Sequence, residues 1–344
     1  MSRIVDIVKH KPANLLMLIA GHLPTLKREL KKLIRIKYFL SPEIHSKDIA
    51  YYLQLPFKRH PVIVYPQTQD KPVIRKQAII TGATSGIGKA FACHFARQGY
   101  DLLITGRRKE IIYGVAEEIK EKYAVNVKIL IADLSANEDL SLLLHIIGMQ
   151  NNIAVLVNNA GYGRNMNFGQ DEIDHQLAMM KVHVNAPIML IHKVLPQMID
   201  NKEGIIINVS SLAAYFPTPG SAMYSSTKSF LKSFTESLYM EVRQYGIRVQ
   251  CLCPGFTYSD FHCNMDISGN GLKQGLVRWM KPTAVVEHSV SCLNKGKAVS
   301  IPGVFNRMLI LLITIFPRKL YYPMAIKLEK KIRRQKSIPD LAYV

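Results

Sequence analysis

Between Gln77 and Leu252 the chain alternates short, continuous apolar runs with longer stretches in which apolar positions recur every three or four residues. The runs are Ala78–Thr81, Leu102–Thr105, Val127–Ile131, Ala154–Val157, Ile205–Val209 and Val249–Leu252. The helix-length stretches between them include Ile87–Gln98, Lys109–Tyr123, Asp171–Met198 and Met223–Tyr245. A strand that is apolar on both faces must be covered on both, and strands separated by helices pair in parallel through crossovers. The pattern therefore predicts a doubly wound parallel sheet in three α/β/α layers, with ligands at the carboxyl ends of the strands.

The two flanks follow a different pattern. From Pro24, Leu26, Leu30, Leu33 and Ile34 recur at helical spacing while Lys27, Arg28, Lys31, Lys32 and Arg35 fill the other positions, which reads as a basic amphipathic helix. Ser41-Pro42-Glu43 opens a second helix, and Pro61, Pro66 and Pro72 punctuate a polar linker. After Met308–Phe316, an uncharged apolar run of nine residues stopped by Pro317, come Lys327, Lys330, Lys331, Arg333, Arg334 and Lys336. The expected organisation is a basic helical extension over residues 1–70, the main α/β domain over 71–303 and a basic amphipathic extension over 304–344.

Charge follows the same division. The chain of 344 residues has a formal net charge of +20, yet residues 76–295 carry 21 basic and 18 acidic side chains, a net +3. Residues 1–75 hold +9 and residues 296–344 hold +8. No nucleic-acid-binding motif accompanies the surplus, so it bears on where the protein sits. In helical phase the C-terminal segment reads either as an amphipathic anchor on an anionic membrane surface or as a packing or homo-oligomer helix with a solvated tail. No apolar run reaches the roughly 18–20 residues that span a bilayer. The Asn14–Gly21 segment is too short for a secretory signal and lacks a small-residue cleavage site. Cys93, Cys251, Cys253, Cys263 and Cys292 show no zinc-site spacing and read as reduced thiols, so the expectation is no metal and a cytoplasmic protein, peripheral on the inner face of a membrane if the anchor reading holds.

Chemistry enters where the strands end. The first run closes in Thr81-Gly82-Ala83-Thr84-Ser85-Gly86-Ile87-Gly88, directly before a helix. Glycines there let the chain turn sharply and let backbone N–H groups approach a pyrophosphate, with the helix N-terminus favouring its charge. Read alone, such a turn equally serves as a tight strand-to-helix connection with no ligand. The motifs then accumulate in order: Asn158-Asn159-Ala160-Gly161, Asn185, Ser210-Ser211, Tyr224-Ser225-Ser226-Thr227-Lys228 and Pro254-Gly255, closed by Ile301-Pro302-Gly303. In this order and spacing the chain resembles the short-chain dehydrogenase/reductase family of the classical type, over about residues 76–303, near a bacterial branch of 3-oxoacyl and steroid reductases.

The resemblance implies a Rossmann-type fold and a set of roles. Tyr224 and Lys228, four residues apart, share a helix face, and a cation beside a phenol of pKa ~10 favours the phenolate. Tyr224 would give its proton to a carbonyl oxygen, Lys228 would lower the pKa of Tyr224 and bond the nicotinamide ribose, Ser211 would hold the substrate oxygen, and Asn185 would support a proton path to Lys228. Gly82, Ser85, Gly86, Ile87 and Gly88 would bind the pyrophosphate, Asp133 and Leu134 the adenine, and Asn159, Ala160 and Gly161 the adenosine side, with Pro254 and Gly255 at the nicotinamide end. The second run ends Thr105-Gly106-Arg107-Arg108 with no acid, and Arg107 stands where relatives contact a 2′-phosphate, which favours NADP(H) over NAD. Ser259 takes the place of the carboxamide-bonding threonine, with Thr257 close by. The segment Phe261–Lys281 reads as a substrate lid whose Met265, Leu272, Leu276, Trp279 and Met280 serve an apolar substrate or pack on the core.

The expected activity is hydride transfer between a nicotinamide and a carbonyl or secondary alcohol, as reduction of an acyl, steroid-like or other lipid ketone. A catalytically silent NADP(H)-binding, membrane-associated sensor or scaffold is the alternative. An epimerase of the extended type would need a larger C-terminal substrate domain than this chain supplies.

Overall fold

The computed structural model describes residues 63–64, 75–164, 166–259 and 278–335. The chain divides into two compact units, residues 1–65 and 66–344. The helices expected from Pro24 and Ser41, most of the proline-rich linker, residues 261–277 of the expected lid and Lys336 lie outside the described residues.

In the second unit, strands β1 (Gln77–Thr81), β2 (Asp101–Gly106), β3 (Val127–Ile131), β4 (Ile153–Asn158), β5 (Gly204–Val209), β6 (Ile247–Leu252) and β7 (Val299–Ser300) form a parallel sheet in the order β3-β2-β1-β4-β5-β6-β7. The helices are α1 (Gly86–Arg97), α2 (Lys109–Tyr123), α3 (Asn137–Gly148), α4 (Ile173–Met180), α5 (Ala186–Asp200), α6 (Ala222–Val242), α7 (Pro282–Asn294), α8 (Val304–Ile315) and α9 (Arg318–Gln335). This is the expected Rossmann-type α/β architecture. In the sheet Ile79 of β1 pairs with Leu103 of β2 on one side and Leu156 of β4 on the other. The chain reverses direction across the sheet at that point, which opens a crevice above the ends of β1 and β4.

The strands form because Val, Ile and Leu can be buried on both faces; all six residues of β4 and of β5 are buried. Helix α1 covers its side of the sheet with Phe91 and Phe95, ring centroids 6.2 Å apart and 2% exposed or less. Such a side chain contributes about 1.5–3 kcal/mol on burial. A buried polar chain ties the strand ends together. Asn158 Nδ2 donates to Asn208 Oδ1 at 2.8 Å, and Asn208 Nδ2 donates to Thr235 Oγ1 of α6 at 2.9 Å.

The single helix expected over Asp171–Met198 is replaced by α4, a π-helical turn over Lys181–Asn185, and α5. Pro187 sits in the first turn of α5. A proline has no N–H to give and its ring crowds the carbonyl four residues back, here that of His183. The widened turn absorbs both demands, and such turns collect at functional sites.

Candidate active site

Strand β1 delivers the chain into the glycine turn, and Asn159 holds that turn from the end of β4. Its Nδ2 donates to the carbonyls of Thr81 and Gly82, each at 3.0 Å. Thr81 Oγ1 in return accepts the backbone N–H groups of Asn159 and Ala160, both at 3.0 Å. Gly82 and Gly86 adopt φ of +67° and +56°, where glycine alone is unstrained. A Cβ on Gly88 would lie 2.3 Å from the Gly82 carbonyl oxygen and 2.4 Å from Asn159 Nδ2, so α1 can start only this close to β1 with glycine. The first turn of α1 carries no acid. Backbone N–H groups, the helix terminus and the hydroxyls of Thr84 and Ser85 make this turn fit a pyrophosphate.

At the end of β2, Arg108 Nη2 donates to Thr84 Oγ1 at 2.8 Å and to Ser85 Oγ at 3.0 Å. Arg107 is more exposed; its Nη1 lies 3.6 Å from Asp133 Oδ2, and its Cζ lies 5.8 Å from the Tyr162 ring centroid. Burial pushes the Asp133 carboxyl up, but the N–H and hydroxyl of Ser135, with Arg107, outweigh it and hold the group below its usual value. Leu134 is buried beside it. Two cations thus face the crevice end of β2, as a phosphate-bearing ribose requires.

Ser211 follows β5 and caps a short 3-10 turn, its Oγ accepting the Ala213 N–H at 3.1 Å. Ser210 points away, donating to the Lys228 carbonyl at 2.8 Å. Tyr224 lies on the first turn of α6, and its hydroxyl shares a hydrogen bond with Ser211. One turn on, Lys228 is 4% exposed and its Nζ donates to the Val209 carbonyl at 2.9 Å. Burial pushes Tyr224 up to about 12, with the Ser211 hydrogen bond pulling it down. Burial also brings Lys228 down to about 8. The expected lowering of Tyr224 by Lys228 is therefore not what this geometry gives. The ammonium lies 5.8 Å from the ring centroid and is directed at Val209, so desolvation dominates both groups.

Asn185 is exposed, whereas His183, two residues earlier, is 1% exposed. His183 Nε2 accepts the Tyr162 N–H at 3.1 Å, Nδ1 lies 3.0 Å from Thr227 Oγ1, and the ring meets that of Tyr224 edge to face at 5.8 Å. Gly161 leaves the room: a Cβ there would lie 3.0 Å from His183 Nε2 and 3.5 Å from Lys228 Nζ. The side chain brought to Tyr224 and Lys228 from the α4–α5 segment is thus an imidazole, a replacement for the expected Asn185. Burial, then Lys228, hold its pKa well below 6.5.

Pro254 accepts the Leu212 N–H at 3.1 Å, and Gly255 makes room for Asn306, whose Nδ2 would lie 2.7 Å from a Cβ there. Thr257 is buried and donates to the Gly255 carbonyl at 3.0 Å, while Ser259 Cβ approaches Gly86. Ser259 thus stands over the glycine turn and Thr257 serves the loop. Beside Tyr224 a pocket of mixed character is lined by apolar Met166, Phe168 and Met179 and by polar Arg164, Gln176 and Ser221. Arg164 is fixed by two bonds to Asp171, at 2.9 and 2.8 Å. Met166 and Phe168, before α4, therefore supply apolar wall in addition to the segment expected as a lid.

A glycine turn at the switch point of a doubly wound sheet, with serine, tyrosine and lysine gathered above it, defines a dinucleotide-dependent oxidoreductase class of site. The profile of the short chain dehydrogenase family matches residues 76–267, and the chain belongs to that family. It is 32% identical over 224 residues to the human "Inactive hydroxysteroid dehydrogenase-like protein 1", covering 64% of this chain and 66% of that one. It is 34% identical over 189 residues to the very-long-chain 3-oxoacyl-CoA reductase of Anas platyrhynchos, covering 53% and 60%. The chain thus spans about two thirds or less of the length of these two relatives. Among solved structures, a short-chain dehydrogenase from Sphingobium yanoikuyae in complex with NADPH shares the fold, with TM-score 0.61, 23% identity, and 78% and 98% of the two chains covered.

Proposed function

We propose that residues 71–303 form an NADP(H)-dependent reductase of apolar ketones, acyl or steroid-like, and that the chain works at an anionic membrane surface. The observation that carries the chemistry is the Ser211–Tyr224 hydroxyl pair one helical turn from buried Lys228. When bound, the nicotinamide supplies the hydride. Tyr224 gives its proton to the carbonyl oxygen, the Ser211 hydroxyl holds that oxygen, and the product is a secondary alcohol. Lys228 contributes positive charge and re-protonation, and His183, neutral, keeps Lys228 and Tyr224 in register. Gly82, Ser85, Gly86, Ile87 and Gly88 hold the pyrophosphate, Arg107 the 2′-phosphate, with Arg108 bracing the glycine turn, and Asp133 and Leu134 the adenine. Asn159, Ala160 and Gly161 shape the floor, and Pro254 and Gly255 the nicotinamide end.

The Met166, Phe168 and Met179 side chains in that pocket and the 3-oxoacyl-CoA reductase relative support the substrate class. A second reading, a cofactor-binding protein without turnover, draws on the relative named inactive. The intact Ser211, Tyr224 and Lys228 speak for catalysis. One screen separates the two: NADPH oxidation over acyl, steroid and aldehyde carbonyls, with wild type and Tyr224→Phe. The reductase reading expects turnover that Tyr224→Phe nearly abolishes while NADPH binding persists. NADPH binding without turnover on any carbonyl establishes the silent reading.

A further inference from the structure

The last two helices expose large apolar side chains, and on α8 these form one face turned to solvent. On α8, Val304, Met308, Leu311, Leu312 and Ile315 fall at i, i+4, i+7, i+8 and i+11 and form one stripe, each at least 58% exposed. Its other side is held down: Asn306 and Ile310 are buried, and Asn306 Nδ2 donates to the Pro302 carbonyl at 2.7 Å. Past Pro317, α9 exposes Leu320 and Met324 on one side of buried Tyr321, and Tyr322 and Ile326 on the other, each of the four 48–59% exposed. Scattered apolar side chains on a surface are ordinary, but the continuous stripe along α8, with further exposed apolar side chains on the next helix, marks an interaction site.

Charge selects the occupant. Residues 304–335 hold eight basic side chains and the single acid Glu329, a net +7. A second copy docked face to face would set +7 against +7, whereas an anionic bilayer offers both apolar depth and opposite charge. At 12 residues α8 is about 18 Å long, short of the roughly 30 Å hydrocarbon core, and no helix among the described residues is long and apolar enough to cross a membrane. The surface suits lying in the interface.

One contact joins this surface to the site. Tyr321 of α9 is 4% exposed and its hydroxyl donates to the Pro217 carbonyl at 2.6 Å. Pro217 lies in the segment between Ser211 and Tyr224. We propose that α8–α9 is an interfacial docking surface for anionic lipid, and that Tyr321 couples it to the loop beside the reacting hydroxyls so that a lipid-borne ketone reaches the pocket from the bilayer. The coupling, though not the docking, rests on the reductase reading.

The test uses the full chain with vesicles of neutral phosphatidylcholine alone or mixed with phosphatidylserine. Wild type should co-sediment with the mixed vesicles, and Leu312→Glu/Ile315→Glu should bind them at least tenfold more weakly while keeping wild-type NADPH binding and turnover of a water-soluble ketone. A milder variant, Arg318→Gln/Lys319→Gln, should weaken vesicle binding and flatten its dependence on salt, since less of what remains is electrostatic. Equal binding to both vesicle types, or unchanged binding by the double Glu variant, overturns the proposal. So does a concentration-dependent dimer of wild type that the double Glu variant lacks, which would assign the face to a second copy. Vesicle binding without ketone turnover overturns the reductase reading and the coupling while leaving the docking surface standing.

Discussion

Nδ1 of His183 lies 3.0 Å from Oγ1 of Thr227, and the hydrogen bonds around that pair fix the tautomer of the imidazole. Thr227 Oγ1 already donates to the Tyr224 carbonyl at 2.9 Å, so it receives the proton of Nδ1, and Nε2 is left to accept the Tyr162 N–H. The ring is thus neutral, in keeping with a pKa that burial and Lys228 press well below 6.5. Below pH 6.5 the unfolded chain takes up a proton at this residue that the folded chain refuses, so stability falls as pH drops from 6.5 toward the folded value. The urea midpoint should decline between pH 7 and 5, and His183→Asn should flatten that decline in part, since His94 and His288 are also held low by burial. His183→Leu, which strands the Tyr162 N–H, should destabilise by about 1–3 kcal/mol relative to the Asn variant at pH 7. An unchanged pH slope in His183→Asn would remove the neutral-imidazole assignment.

The fate of Asn185 shows what the sequence could and could not convey. The strands and most flanking helices were legible because apolar runs buried on both faces leave no second reading, and the glycine turn and Tyr224–Lys228 spacing were legible because each is local. The inward residue of the Lys181–Asn185 turn was not, since a continuous 3.6-residue period carries the eye past a π turn. Pro187 was the available signal. The apolar pocket wall was also hidden, because Met166, Phe168 and Met179 meet Tyr224 only through tertiary packing. Two-residue β7 is too short to carry a period at all.

Glycine placement gives a contrast within one chain. Gly88→Ala would drive a Cβ to 2.3 Å from a backbone oxygen that β1 and Asn159 hold in place. The substitution should lower stability by about 1–3 kcal/mol and weaken NADPH binding more than tenfold. Gly114, exposed within α2, has nothing within 4 Å of an added Cβ, so Gly114→Ala should raise stability by about 0.5–1 kcal/mol and leave binding alone. Thermal melts with and without NADPH read both effects; a Gly88→Ala protein that binds as wild type would show that the turn can shift.

Lys228 sets the alkaline side of the rate profile. Burial lowers it from 10.5 to about 8, while Tyr224 stays protonated up to about 12. For ketone reduction kcat/KM should hold level below pH 8 and fall above it as the cation beside the phenol is lost. Lys228→Met should be slow throughout and lack the limb. The sign for stability is opposite: between pH 8 and 10.5 the unfolded chain still binds the proton that the folded lysine has released, so this residue's contribution becomes more favourable as pH rises. A limb near pH 8 that survives in Lys228→Met would assign it to another group.

Arg107 and Arg108 divide the cofactor end between them, and their substitutions should separate. Arg108 is tied to the Thr84 and Ser85 hydroxyls, so Arg108→Ala loosens the glycine turn and should weaken NADPH and NADH alike. Arg107 is 60% exposed and paired only at 3.6 Å with Asp133, which leaves its charge available to a 2′-phosphate. Arg107→Asp sets a carboxylate against that phosphate and beside Asp133, while offering a ribose 2′-hydroxyl an acceptor. The ratio of kcat/KM for NADPH to that for NADH should fall at least tenfold, about 1.4 kcal/mol of discrimination, with most of the change in the NADPH term. If the ratio moves in Arg108→Ala and holds in Arg107→Asp, the phosphate contact belongs to the second arginine, and Arg107 serves to keep Asp133 ionised.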